Sequence, residues 1–315
     1  MRKLGIMFSF LLAIAFSVNG VYADINSKAG TTAYSFLKIG VGARAVAMGN
    51  AFVGLADDQS ALYFNPAGLV QLSSQCFTTS YNNYLSTIQS GFIGYVYPYD
   101  QNTRIGISIN YFNYGSFDKT DEYGVRLGTF GAADFALIST YARKVNSLFS
   151  LGVNAKFILE KIDNYTSDAL ALDLGAFHKS ENKRIQAGVV VRNLGYQLKS
   201  LSGEHKESLP VEVKIGISHY VQGMPLLVAI DAAKPFDNDI YLNLGAELLS
   251  LKPVFLRAGW TSFGKNYKTG SDKDNLAGLS FGLGINWKAY KFDYAYSSYA
   301  DLGGVHRISI SGDLK

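Results

Sequence analysis

The stretch Leu279-Ser280-Phe281-Gly282-Leu283-Gly284-Ile285-Asn286-Trp287 sets a large apolar side chain at every odd position and Ser, Gly or Asn at every even one. Successive side chains of a strand point to opposite faces, so this segment has one apolar face and one small, polar face. The same period recurs at Ile105-Gly106-Ile107-Ser108-Ile109-Asn110-Tyr111, from Leu170 to Ala176, from Val211 to Ile217 and from Ile240 to Ala246. Along the chain it predicts strands near 75–84, 87–97, 103–114, 133–144, 149–161, 168–179, 184–194, 210–220, 225–234, 240–249, 253–260, 276–287, 290–297 and 305–314. They number fourteen, and most run about 8–13 residues. That length lets a tilted strand cross hydrocarbon and exceeds the roughly 5–6 residues usual in globular sheets.

Connection lengths point the same way. Short gaps at 98–102, 145–148, 180–183, 221–224, 250–252 and 288–289 alternate with longer polar ones at 115–132, 162–167, 195–209, 235–239, 261–275 and 298–304. A tight turn at 85–86 is the exception. Outer-membrane barrels show this alternation of short periplasmic turns and longer outer loops. A soluble sandwich would instead bury the aliphatic face and expose Lys and Glu on the other. Here the second face carries Gly, Ser, Asn and Ala with isolated charges: Arg104, Lys156, Asp173, Glu212, Lys214, Glu247, Asp293 and Arg307. These are the candidate lumen charges. Tyr81, Tyr84, Tyr95, Tyr97, Tyr99, Tyr111, Tyr114, Trp260, Trp287 and Tyr290 fall near strand ends, as interfacial girdles do.

Composition agrees. Of 315 residues 48% are hydrophobic and 17% charged, too apolar for a disordered chain and below the roughly 25% charge of soluble domains. A net charge of +4 is too small and dispersed for a nucleic-acid footprint. Residues 1–23, with Met1-Arg2-Lys3, an apolar run from Leu4 to Val18 and a small-residue site ending at Ala23, read as a cleaved secretory signal peptide. The expected location is therefore the cell outer membrane, with membrane lipid around the wall.

Residues 24–74 lack the two-residue period and are rich in Ala and Gly, which predicts a partly helical hatch or plug inside a barrel spanning 75–315. Asp57 or Asp58 is placed to cap a short helix through Ala61–Phe64, which Asn65-Pro66 would end, or to pair with Arg44.

Other chemistry finds little support. Gly40-Val41-Gly42-Ala43-Arg44-Ala45 fits G-x-G-x-x-A, but dinucleotide binding needs a βαβ unit, and the remaining chain reads as antiparallel hairpins. His178, His205, His219 and His306 have no metal-ligand spacing, Cys76 is the single cysteine, and no nucleophile elbow occurs. The expectation is an all-β transmembrane barrel with no catalytic residues, no metal and no cofactor.

Gly42-Ala43-Arg44-Ala45-Val46-Ala47-Met48-Gly49, Ala56-Asp57-Asp58 and Asn65-Pro66-Ala67-Gly68-Leu69 resemble the N-terminal signature of the PorV/PorQ family, within the FadL-like outer-membrane barrels. Phe292-Asp293-Tyr294-Ala295-Tyr296 and His306-Arg307-Ile308-Ser309-Ile310-Ser311 resemble its closing hairpin. The resemblance implies a fourteen-stranded barrel and a hatch whose Asn-Pro-Ala turn is Asn65, Pro66 and Ala67. It sets the candidate gating motif as those residues with Gly42, Arg44, Gly49, Asp57 and Asp58. It also implies one of two partners: a hydrophobic small molecule such as a fatty acid, or secreted cargo and proteins of a type IX-like secretion system.

Overall fold

A computed structural model describes residues 27–203 and 205–314, so the signal-peptide reading of 1–23 lies outside the described residues. The strands are β1 (Gln75–Asn83), β2 (Gln89–Pro98), β3 (Thr103–Thr120), β4 (Arg126–Lys144), β5 (Phe149–Ile162), β6 (Tyr165–Lys179) and β7 (Ile185–Lys199). Then follow β8 (Glu212–Tyr220), β9 (Leu226–Pro235), β10 (Tyr241–Leu248), β11 (Val254–Thr261), β12 (Leu279–Trp287), β13 (Tyr290–Ser298) and β14 (Gly304–Leu314). Each pairs antiparallel with its sequence neighbours, and β14 returns to β1 in a register from Gln75 opposite Leu314 to Asn83 opposite His306. The fourteen-strand wall has no edge, the condition a sheet must meet in hydrocarbon.

The two faces are buried the opposite way from a soluble sheet. In β3, Ile105 and Ile107 are 42% and 49% exposed, while Arg104, Ser108 and Asn110 are 5%, 2% and 1% exposed. In β8, Ile215 and Ile217 face out, and Glu212, Lys214 and Ser218 face in. A wall that presents aliphatic side chains outward and encloses its polar ones suits an apolar surrounding solvent.

The rim is uneven. β3 to β7 have 18, 19, 14, 15 and 15 residues, whereas β8, β9 and β10 have 9, 10 and 8. About 9–11 tilted residues suffice to cross the hydrocarbon, so the ends of β3 and β4 stand clear of it. The loop expected at 115–132 is therefore mostly strand: pairing resumes at Ser116 opposite Gly131 after a register shift and continues to Thr120 opposite Arg126. Gly115, with φ +82°, and Gly131 masked the alternation there, while Phe117 and Phe130 stack across the hairpin at 5.4 Å. Residues 195–199 likewise belong to β7, and 261–275 holds two 3-10 turns, Ser262–Tyr267 and Asp272–Leu276. Tyr97, Tyr99, Trp287 and Tyr290 are exposed, but Tyr84 and Tyr114 turn inward onto Phe112. Their parity explains this, since Tyr114 shares the inward positions of Asn110 and Phe112, and Tyr84 those of Ser80 and Asn82.

The segment before β1 packs against the inner face of the wall. It forms short turns at Ser35–Lys38, Ala43–Ala47, Ala61–Phe64 and Pro66–Gln71. Met48, Phe52, Leu55, Leu62 and Phe64 form its buried core together with wall residues such as Phe92 and Val96. Phe36 and Leu37 make a second apolar cluster with Phe112 and Ile158. In places segment and wall meet backbone to backbone. Gly49 has φ +65°, and a Cβ added to Gly259 of β11 would stand 2.0 Å from Gly49 N, so neither position tolerates a side chain.

Gly259→Ala is expected to destabilise the barrel by about 1–3 kcal/mol through overpacking and to expose residues 43–71 to protease. Gly131→Ala, whose Cβ would have its nearest neighbour at 3.6 Å, should change stability by no more than about 0.5 kcal/mol. Thermal unfolding in detergent with limited proteolysis measures both.

Candidate functional site

Arg44 lies on the Ala43–Ala47 helix, whose first turn follows Gly42 at φ +73°, and its guanidinium joins hatch to wall. Nη1 stands 2.5 Å from Asp57 Oδ1 and 3.0 Å from Asp58 Oδ2. Nε and Nη2 donate to Glu247 Oε2 and Oε1 of β10, each at 2.9 Å, the two-pronged contact a guanidinium makes with a carboxylate. Glu247 Oε2 also accepts from Arg257 Nε at 2.5 Å, and Arg257 Nη1 donates to Asp293 Oδ1 at 2.6 Å. A line of charge thus runs from the hatch through β10 and β11 to β13. Burial works against the Arg44 charge, but the carboxylates of Asp57 and Glu247 outweigh it and hold its pKa well above the ordinary arginine value.

Asp58 has a second task, since its Oδ1 accepts the Ser60 N–H at 2.7 Å just ahead of the Ala61–Phe64 helix. The turn that ends this helix is tied to the wall. Asn65 Oδ1 accepts from Ala67 N at 3.2 Å, and its Nδ2 donates to Val53 O at 3.1 Å and to Ala176 O of β6 at 3.2 Å. Pro66 opens the following 3-10 turn, a position where its missing N–H is no loss.

Other inward charges form a second group. Lys156 of β5 and Asp173 of β6 pair at 2.7 Å with both side chains fully buried, and Lys156 Nζ also donates to Asn193. Glu212 of β8 pairs with Lys214 at 3.2 Å and Arg192 at 3.7 Å, and accepts from the Tyr241 hydroxyl. Arg192 also stacks over the Tyr63 ring of the hatch, 4.0 Å from its centre, while Tyr63 OH donates to Leu37 O and Ile39 O. Arg104 donates to the carbonyls of Leu72 and Asp100. The structure therefore collects Arg44, Asp57, Asp58, Glu247 and Asp293 in one network and Lys156, Asp173, Glu212 and Lys214 in another, with Arg104 and Arg307 apart from both.

Arg192, Arg257 and Asp231 were not among the sequence-derived candidates. Arg257 and Asp231 each interrupt an apolar run, in Phe255-Leu256-Arg257-Ala258 and Ala229-Ile230-Asp231-Ala232, and that interruption marks an inward position. Asp231 Oδ2 accepts the N–H groups of Phe52 and Val53 at 2.8 and 2.9 Å. Arg192 precedes a ladder irregularity, where Asn193 has φ +59° and the β6–β7 register shifts between Leu172 and Leu174, so alternation alone misplaces its neighbours.

A closed barrel with an aliphatic outer face, a polar inner face and an internal N-terminal segment defines an outer-membrane β-barrel with a hatch. Residues 22–222 match the family described as type IX secretion system protein PorV, and the chain belongs to that family. Solved structures similar in fold include the toluene transporter TbuX of Ralstonia pickettii, at 13% identity over 88% of this chain and 99% of that one, with a TM-score of 0.62. The toluene transporter TodX of P. putida gives 12% identity, 87% and 99% coverage and a TM-score of 0.60. A FadL homologue of Pseudomonas aeruginosa gives 13%, 85% and 98%, with a TM-score of 0.57. At these identities the likeness is one of fold. No curated protein matches the chain.

Arg44→Ala leaves Asp57, Asp58 and part of Glu247 without their counter-charge and is expected to destabilise hatch seating by about 3–5 kcal/mol. In planar bilayers the variant should show brief conductance steps that the unaltered protein lacks.

Proposed function

We propose that the protein is a plugged outer-membrane component of a type IX-like protein secretion system that engages a partner at the cell surface rather than passing solutes. Residues 24–74 are the hatch and 75–315 the wall, and export depends on residues 1–23. The hatch motif, Gly42, Arg44, Gly49, Asp57, Asp58 and the Asn65-Pro66-Ala67 turn, keeps the lumen closed. The observation carrying this reading is the backbone-to-backbone fit of hatch and wall at Gly49 and Gly259, which leaves no room for even a methyl group between them at that point. Membership of the PorV family supports the secretion role. The projecting β3–β4 hairpin offers a contact surface, with Tyr123, Val125 and Leu127 at its tip 83%, 58% and 62% exposed.

A second reading, a channel for hydrophobic small molecules, rests on the fold likeness to toluene transporters and on the apolar cluster of Phe36, Leu37, Phe112 and Ile158. In that reading Phe36 and Leu37 fill apolar space beside Phe112 and Ile158 that a ligand would enter once they move aside.

Two measurements separate them. A photo-crosslinking residue at Tyr123 should capture a protein partner in cells, and toluene uptake by proteoliposomes should equal that of empty liposomes. Uptake well above the empty-liposome rate, rising further in Phe36→Ala, would overturn the plugged reading in favour of the channel.

A further inference from the structure

Arg307 of β14 is 4% exposed and faces the lumen, and among the described residues no carboxylate pairs with it. This sets it apart from Arg44, Arg257, Lys156 and Lys214, which have acidic partners, and from Arg104, which donates to carbonyls. With the Asn82 amide turned to satisfy its neighbours, the Asn82 oxygen accepts from Arg307 Nη2 at 3.0 Å. That contact is neutral. The nearby phenols of Tyr84 and Tyr299 supply no charge either, because burial raises both above the ordinary tyrosine value. A buried guanidinium without an anion is strongly disfavoured, since its lost hydration is not replaced.

Beside Arg307 lies a small cavity of about 10 Å³, room for a single small group. Arg307, Asn110 and Ser80 bring polar residues to it, Phe92 and Phe112 line its apolar side, and Gly40 and Val41 of the hatch complete the lining. Asn110 is 1% exposed, and its Nδ2 has no hydrogen-bond acceptor. One uncompensated positive charge and one orphaned N–H donor thus meet at the same small space. We propose that this cavity binds one monovalent anion of halide size, which neutralises Arg307 and accepts from Asn110 Nδ2. A water molecule would accept the hydrogen bond but would leave the charge, and the small volume disfavours a polyatomic anion. Because Gly40 and Val41 of the hatch line the site together with Asn110 and Arg307, the anion links β3 and β14 to the hatch and helps seat it.

The test uses the full chain refolded in detergent with gluconate as the anion, titrated with sodium bromide at constant ionic strength. Crystals grown in bromide are measured at the bromine absorption edge. The proposal predicts an anomalous peak in the cavity, in contact with Arg307 and Asn110, and an unfolding temperature that rises about 2–3 °C per tenfold increase in bromide above Kd. Arg307→Gln should abolish this rise. Asn110→Ala, which keeps the charge, should weaken bromide binding by about tenfold. A water without anomalous signal at the site, an equal bromide response in Arg307→Gln, or a full response in Asn110→Ala would each overturn it.

Discussion

A sheet in hydrocarbon has no solvent for unpaired peptide groups, so the β1–β14 ladder that closes the wall is the contact on which the molecule depends. Closure also creates the next requirement. A barrel of fourteen strands encloses more space than inward strand side chains need, and here residues 33–71 pack into it. Those residues bring peptide groups of their own, and the wall answers them. Asp231 accepts from Phe52 and Val53, Ser309 Oγ accepts from Ala43 N–H, Asn154 Nδ2 donates to Leu62 O, and Ser150 Oγ donates to Ala67 O. The polar inner face is thus the complement of the hatch backbone as well as the consequence of an apolar outer face.

The charges add positional definition. Buried ion pairs return little net stability once desolvation is counted, yet removing one partner is severely destabilising. The line from Asp57 and Asp58 through Arg44, Glu247 and Arg257 to Asp293 therefore specifies one seating of the hatch against β10, β11 and β13. Tyr63, held between Arg192 and the carbonyls of Leu37 and Ile39, does the same beside β7 and β8. Together the two contacts hold the hatch in one place against the wall.

The strand count and the direction each face takes were legible in the sequence because alternation between Ile or Leu and Gly, Ser or Asn is a local signal, as in Ile105 to Tyr111. The extension of β3 and β4 was not, because Gly115, Asp118 and Gly131 read as loop residues while the long-range pairing that holds them is invisible locally. For the site, Arg44 with Asp57 and Asp58 could be proposed as a pair from the sequence. Their junction with Glu247 could not, since it links positions 203 residues apart. Arg192 and Arg257 escaped for a related reason: which inward charges meet depends on barrel register, which the two-residue period leaves open.

The central claim is that the N-terminal segment is a fixed internal part of the barrel rather than a loosely tethered tail. Hydrogen exchange of residues 43–71 in nanodiscs tests it directly. Exchange of the Phe52 and Val53 amides, which donate to Asp231, should be as slow as that of the wall strands, because these N–H groups open only when the barrel itself does. Exchange of those amides within seconds while the strands remain protected would contradict the account.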